Sequence, residues 1–162
     1  MKLIKHIALG GLLTVSAFTA VLYTSCSKDA CKGVTCNNGG TCSGGNCTCT
    51  TGYEGTNCQT VSRDKFIGSY TGTEICTVGT DNYTVTLATN SDALKLTYTN
   101  LYNQNFTAIC SMAATDSFTF SGAQSGATFS GSGRLVANTL TVHYTIVSAA
   151  AVSNACVFTG TK

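Results

Sequence analysis

Apolar and polar residues alternate one for one through most of the second half of the chain. Tyr83, Val85 and Leu87 are separated by polar residues, as are Leu94, Leu96 and Tyr98. The spacing recurs at Phe106, Ala108, Cys110 and Met112, at Phe118 and Phe120, and at Leu140, Val142, Tyr144 and Ile146. Successive side chains of a strand point to opposite faces, so a period of two predicts strands with one buried face. Turn-forming clusters at residues 79–82, 90–92, 100–105, 113–116, 122–126, 137–138 and 148–154 interrupt the pattern. They divide residues 66–160 into about eight short strands. No part of this stretch carries a helical period. The expected fold is therefore mainly β, an antiparallel barrel over residues 64–162 with a two-sheet β-sandwich as the alternative.

The start of the chain follows a different pattern. Lys2 and Lys5 precede an apolar run from Ile7 to Leu22, then small residues and Cys26, which is the order of an export signal. The run carries Gly10, Gly11, Thr14, Ser16 and Thr19, which disfavours a retained membrane span. Export makes disulfides chemically reasonable, and the chain has ten cysteines.

Six of these follow the spacing Cys31-x4-Cys36-x5-Cys42-x4-Cys47-x-Cys49-x8-Cys58. So short a segment cannot bury a core that offsets its chain entropy, and cross-links must supply the difference. The spacing alone leaves the pairing open. The six cysteines, the Asn38-Gly39-Gly40-Thr41-Cys42 turn and the ending Cys47-Thr48-Cys49-Thr50-Thr51-Gly52-Tyr53-Glu54-Gly55-Thr56-Asn57-Cys58 together resemble an epidermal growth factor-like (EGF-like) domain over residues 31–58. The resemblance implies disulfides Cys31–Cys42, Cys36–Cys47 and Cys49–Cys58. Zinc is disfavoured because no histidine lies near the cluster and its tightest pair, Cys47 and Cys49, is too close. Calcium-binding EGF-like domains carry further acidic residues and an aromatic. Here Asp29 is followed by Ala30, and Ser43-Gly44-Gly45-Asn46 lacks the aromatic, so no metal or cofactor is expected.

Leu22-Tyr23-Thr24-Ser25-Cys26 resembles a bacterial lipoprotein signal, with Tyr23 at the position where leucine is usual. The resemblance implies a signal peptide over residues 1–25, lipidation of Cys26, and a lipid-anchored tether over 26–30. Multiple acyl chains make such attachment stable. Ser27-Lys28-Asp29 is similar to the short charged tag that sends some of these lipoproteins to the cell surface. The localisation implied is the bacterial outer membrane, facing outward. Residues 59–63 read as a short polar linker, across which relative motion of the two domains is the default. Phe66-Ile67-Gly68-Ser69-Tyr70 loosely resembles the opening of a calycin-like (lipocalin-like) barrel.

Three cysteines remain. Cys76 falls on the first strand of the β domain and Cys156 on the last, which become neighbours if a barrel closes, so these two are expected to pair. Cys110 shares a face with Phe106, Ala108 and Met112 and is expected to be a buried, inert thiol.

Little in the sequence points to catalysis. His143 alternates with Val142 and Tyr144 and should face solvent, and no motif supplies it with a nucleophile and an orienting acid. Glu74 is the one carboxylate on a predicted strand; it is expected at an exposed or edge position, the alternative being the barrel mouth. Asp64, Asp81, Asp92 and Asp116 sit in linker or turn positions. Phosphate-cradling loops, histidine pairs and nucleophile elbows are absent. Removal of Lys2 and Lys5 with the signal leaves seven basic against seven acidic residues, so no basic stripe exists for nucleic acid. Asn82-Tyr83-Thr84 and Asn105-Phe106-Thr107 fit N-glycosylation, and Thr41 fits the O-fucose position of EGF-like domains, but both need a eukaryotic secretory route. The expectation is a non-enzymatic, lipid-anchored envelope protein that displays its two domains to a protein or glycan partner. The alternative is a carrier holding a small hydrophobic ligand among Tyr70, Tyr83, Phe106, Phe118, Phe120 and Tyr144.

Overall fold

The computed structural model describes residues 29–162. The expected signal peptide and the expected lipidation position, Cys26, lie outside the described residues.

Residues 31–58 form a disulfide-rich unit with very little secondary structure. Strand β1 (Thr41–Ser43) pairs with β2 (Asn46–Thr48), placing Cys42 opposite Cys47. Bonds Cys31–Cys42, Cys36–Cys47 and Cys49–Cys58 span Cα separations of 5.8, 5.6 and 5.3 Å. Only Gly52 and Cys58 are buried within this unit, so cross-linking does the work that an apolar core does elsewhere.

Residues 59–63, read above as a linker, are structured. Strand β3 (Tyr53–Glu54) pairs with β4 (Thr60–Val61), and the Ser62 N–H donates to the Gly52 carbonyl at 2.8 Å. A 3-10 turn over Ser62–Phe66 then leads into the barrel. Arg63 clamps the junction: its Nη1 donates to the carbonyls of Asn90 at 2.7 Å and Lys95 at 3.1 Å, and to that of Asp92. Lys65 pairs with Glu54 at 2.8 Å. Gly52 has φ +86°, and a Cβ there would collide with Leu94, so the disulfide unit lies directly against the barrel. Only glycine meets both demands cheaply.

Eight antiparallel strands follow in sequence: β5 (Gly68–Cys76), β6 (Gly79–Thr89), β7 (Lys95–Leu101), β8 (Phe106–Ala114), β9 (Ser117–Gln124), β10 (Ala127–Val136), β11 (Thr139–Val147) and β12 (Ser153–Thr161). Each pairs with the next, and β12 pairs with β5 to close the barrel. Closure leaves no exposed sheet edge. The closing register sets Cys156 against Cys76, which are bonded across a Cα separation of 4.0 Å.

One predicted turn is displaced. The cluster at 79–82 belongs to β6, and the chain reverses at Thr77–Val78 instead. Thr80 and Asn82 pair with Ile75 and Thr73, so ladder hydrogen bonds override the turn preference of Gly, Asp and Asn.

The inward positions are filled with rings. Phe66, Tyr70, Tyr98, Phe118 and Phe158 are fully buried, and Phe120 lies within 6.5 Å, centroid to centroid, of Tyr98, Phe118, Phe129 and Tyr144. Phe66 closes the end of the barrel nearest the disulfide unit, with its ring edge-on to Phe118 at 5.5 Å and its carbonyl accepting the Tyr70 hydroxyl at 2.8 Å.

Candidate functional site

The barrel has two unlike poles. The near pole holds the 3-10 turn and the connections at 90–94, 115–116 and 137–138, while the far pole holds those at 77–78, 102–105, 125–126 and 148–152. All the ion pairs among the described residues lie at the near pole or its junction: Arg63–Asp64, Lys65–Glu54, Lys95–Asp92 and Arg134–Asp116. The far pole carries no Lys or Arg. Its rim exposes Ile75, Val78 and Val152 at 62, 70 and 59 %, beside the exposed Ala149–Ala151. Exposed apolar side chains gathered in one place mark an interaction surface more often than scattered ones do.

Beneath this rim sits Glu74, only 3 % exposed, which corrects the expectation of an exposed or edge position. The period of two on β5 carries Tyr70, Gly72, Glu74 and Cys76 to the same inner face, and two phenols take the place of water. The Tyr83 hydroxyl donates to Glu74 Oε1 at 2.7 Å, and the Tyr144 hydroxyl donates to the same oxygen. Burial, then the hydrogen bond and charge of Glu74, hold both phenols far above their ordinary pKa. They therefore remain donors through the ordinary pH range. The sequence signal for this cluster is the spacing of Glu74 four residues from Tyr70, which is expected on an inner face.

A short connection covers the cluster. Asn100, Tyr102, Asn103 and Asn105 all have left-handed backbone, with φ of 68, 59, 49 and 54°. Asn103 Nδ2 donates to Asp81 Oδ2 at 2.6 Å, and Asn154 Nδ2 donates to the Tyr102 hydroxyl at 3.0 Å. Two buried oxygens below it have no partner, Asn154 Oδ1 and the Tyr98 hydroxyl. Unpaired buried polar atoms are rare and costly.

A carboxylate oxygen of Glu74 and the sulfurs of Cys76 and Cys156 lie within 4.8 Å of one another, the one grouping of metal-ligand atoms among the described residues. Both sulfurs are spent on the disulfide, so only the carboxylate is free to ligate. Cys110 is buried and unpaired, and burial pushes its thiol up to about 12. His143 is exposed on the outside of β11, opposite Ser132 on β10. No hydrogen bond joins the two side chains, and no carboxylate orients the ring, so the pair lacks the parts of an activated nucleophile. Two open clefts of about 390 and 410 Å³ lie along the outer side of β9–β12 and share His143 in their lining.

The buried phenols make the barrel sensitive to alkali. Burial raises Tyr70 to about 12 and Tyr98 well above the ordinary 10.0, alongside Tyr83, Tyr144 and Cys110. Below about pH 8 folded and unfolded chains are equally protonated at these groups, Cys110 being the first to differ because its ordinary value is 9.0. Above that pH the unfolded chain releases protons that the folded chain keeps, and each such group costs about 1.4 kcal/mol per pH unit. Stability should thus be level to about pH 8, decline as Cys110 begins to differ, and fall steeply above about pH 10 as the four phenols join it. Phenolate absorbance followed with circular dichroism checks this: the four phenols should ionise only as the strands melt, and early ionisation without melting would contradict it.

No family model matches the sequence, and no curated protein does. Among solved structures, the chain is similar to one from Bacteroides fragilis NCTC 9343, provisionally described as an outer membrane protein, at 13 % identity and a TM-score of 0.42. The match covers 62 % of this chain and 52 % of that one, so this chain spans about half of that protein's length.

Proposed function

We propose that the protein is a non-enzymatic envelope protein, anchored through a lipid on Cys26, in which an EGF-like unit acts as a stiff spacer and the far rim of the barrel meets a protein partner. The observation that carries this reading is the Arg63 clamp with the β3–β4 pairing. It seats the disulfide unit on one pole and leaves the opposite pole, with Ile75, Val78 and Val152, pointing away from the N-terminal side of the chain. The rim carries no Lys or Arg, and its exposed Ile75, Val78 and Val152 suit the core of a protein interface. The ring-filled interior likewise favours display over carriage of a hydrophobic ligand, since Phe120 packs against Tyr98, Phe118, Phe129 and Tyr144.

Two measurements test this. Intact mass of protein extracted from membranes should show cleavage before Cys26, acylation, four disulfides and one free thiol; an unprocessed or unacylated chain would refute the anchor. Capture from envelope extracts should retain a partner on the native chain and on Thr145→Asp, on the barrel side, and lose it at least tenfold on Val78→Asp/Val152→Asp. Equal retention by all three would remove the rim from the proposal.

A further inference from the structure

Glu74, Asn154 and Tyr98 share a deficit that a single chemical group would repair. Glu74 is a buried carboxylate with no Lys or Arg partner among the ion pairs of the described residues. Buried charges are normally paired. Asn154, 5 % exposed, has an acceptor oxygen with no donor, and the hydroxyl of the fully buried Tyr98 has no partner. Glu74 and Asn154 sit on the inner faces of the paired strands β5 and β12, and the charge of Glu74 acts on the Tyr98 phenol from β7. A carboxylate oxygen of Glu74 lies within 4.8 Å of Cys156 Sγ, two residues along the same strand from Asn154. The Tyr98 ring is 6.0 Å from Phe120, which is 6.4 Å from Tyr144, the phenol bonded to Glu74.

We infer that the far mouth of the barrel binds a primary alkylammonium group. Such a group supplies the missing positive charge and three N–H donors, matching one carboxylate and two unpartnered oxygens. Ordered water would satisfy the oxygens but not the charge. Calcium or magnesium would need about six oxygen ligands, more than these side chains offer, and the two sulfurs that zinc would favour are bonded to each other. Entry requires the Tyr102–Asn105 connection to yield, and the side-chain bonds Asn154–Tyr102 and Asn103–Asp81 hold it over the mouth. For a protein partner docked on the rim, the group is the tip of a lysine side chain. That identity rests on the function proposed above, whereas the amine chemistry does not.

The experiment titrates the full chain with n-butylamine at fixed pH and ionic strength, reading the tyrosine ring resonances of Tyr83 and Tyr144 and the thermal midpoint. A saturable shift is expected, absent with n-butanol and with sodium chloride, and weakened at least tenfold in Glu74→Gln, whose amide oxygen still accepts from both phenols. Asn154→Leu, which leaves Glu74 in place, should weaken it severalfold and keeps the test decisive if Glu74→Gln does not fold. Nα-acetyl-lysine methylamide should reproduce the shift if the source is a lysine side chain; a response to butylamine alone would limit the site to free amines. No saturable shift, or an equal one with butanol, salt or Glu74→Gln, would overturn the inference. Partner capture lost on the rim variant but kept on Glu74→Gln would overturn the lysine anchor while leaving the rim intact.

Discussion

Replacing Cys76 and Cys156 together by alanine should lower the stability of the barrel by roughly 4 kcal/mol, because the bond closes a loop of sequence separation 80. In the chain-entropy account, opening so long a loop frees the unfolded state far more than losing one of the bridges of the disulfide-rich unit, whose separations are 9 to 11. Alanine is the better probe than serine, since Cys156 is 2 % exposed and a buried hydroxyl would add a penalty of its own. Urea unfolding followed by tyrosine fluorescence measures the change. A loss under about 1 kcal/mol would mean that the β5–β12 ladder closes the barrel unaided and that the bond is a minor contributor.

The second large effect is expected at Gly72, where alanine should destabilise by roughly 3 kcal/mol or more. A Cβ at this position would overlap the Thr159 carbonyl oxygen and Gly160 Cα, both backbone atoms of the strand across the closing seam. Backbone in a paired ladder cannot swing aside as a side chain can, so the seam itself must open. Gly79→Ala is the matched control, because nothing lies within 4 Å of its Cβ, and it should change stability by no more than about 0.5 kcal/mol. Comparable midpoints for the two variants would show that the seam tolerates displacement and that the close approach at Gly72 is not a constraint.

Both predictions concern closure, which the alternation of residues could not decide. A sandwich and a barrel share the same period of two, and Tyr83, Val85, Leu87, Leu96, Tyr98, Phe118, Phe120, Leu140, Val142 and Tyr144 are buried here as either would require. The pattern weakens at strand ends: Leu94 is 37 % exposed at the junction with the disulfide unit, and Phe106 is half-buried beside the far pole. The candidate site was only partly legible. Tyr70, Tyr83 and Tyr144 were assigned to inner faces, but as apolar filling. The sequence favours an exposed or edge position for Glu74 over the barrel mouth, since a carboxylate is rarely buried without a partner, and one of its two partners, Tyr144 on β11, is 70 residues away.

The strands, their inward faces and the grouping of cysteines into a cross-linked unit and a barrel set follow from the order of residues alone, since side-chain period and cysteine spacing are local properties. Which strands meet at the seam, which phenols surround Glu74, and how Arg63 joins the two units were decided only in three dimensions. Those contacts bring together residues distant in sequence, and their cost or benefit depends on neighbours that no local pattern encodes.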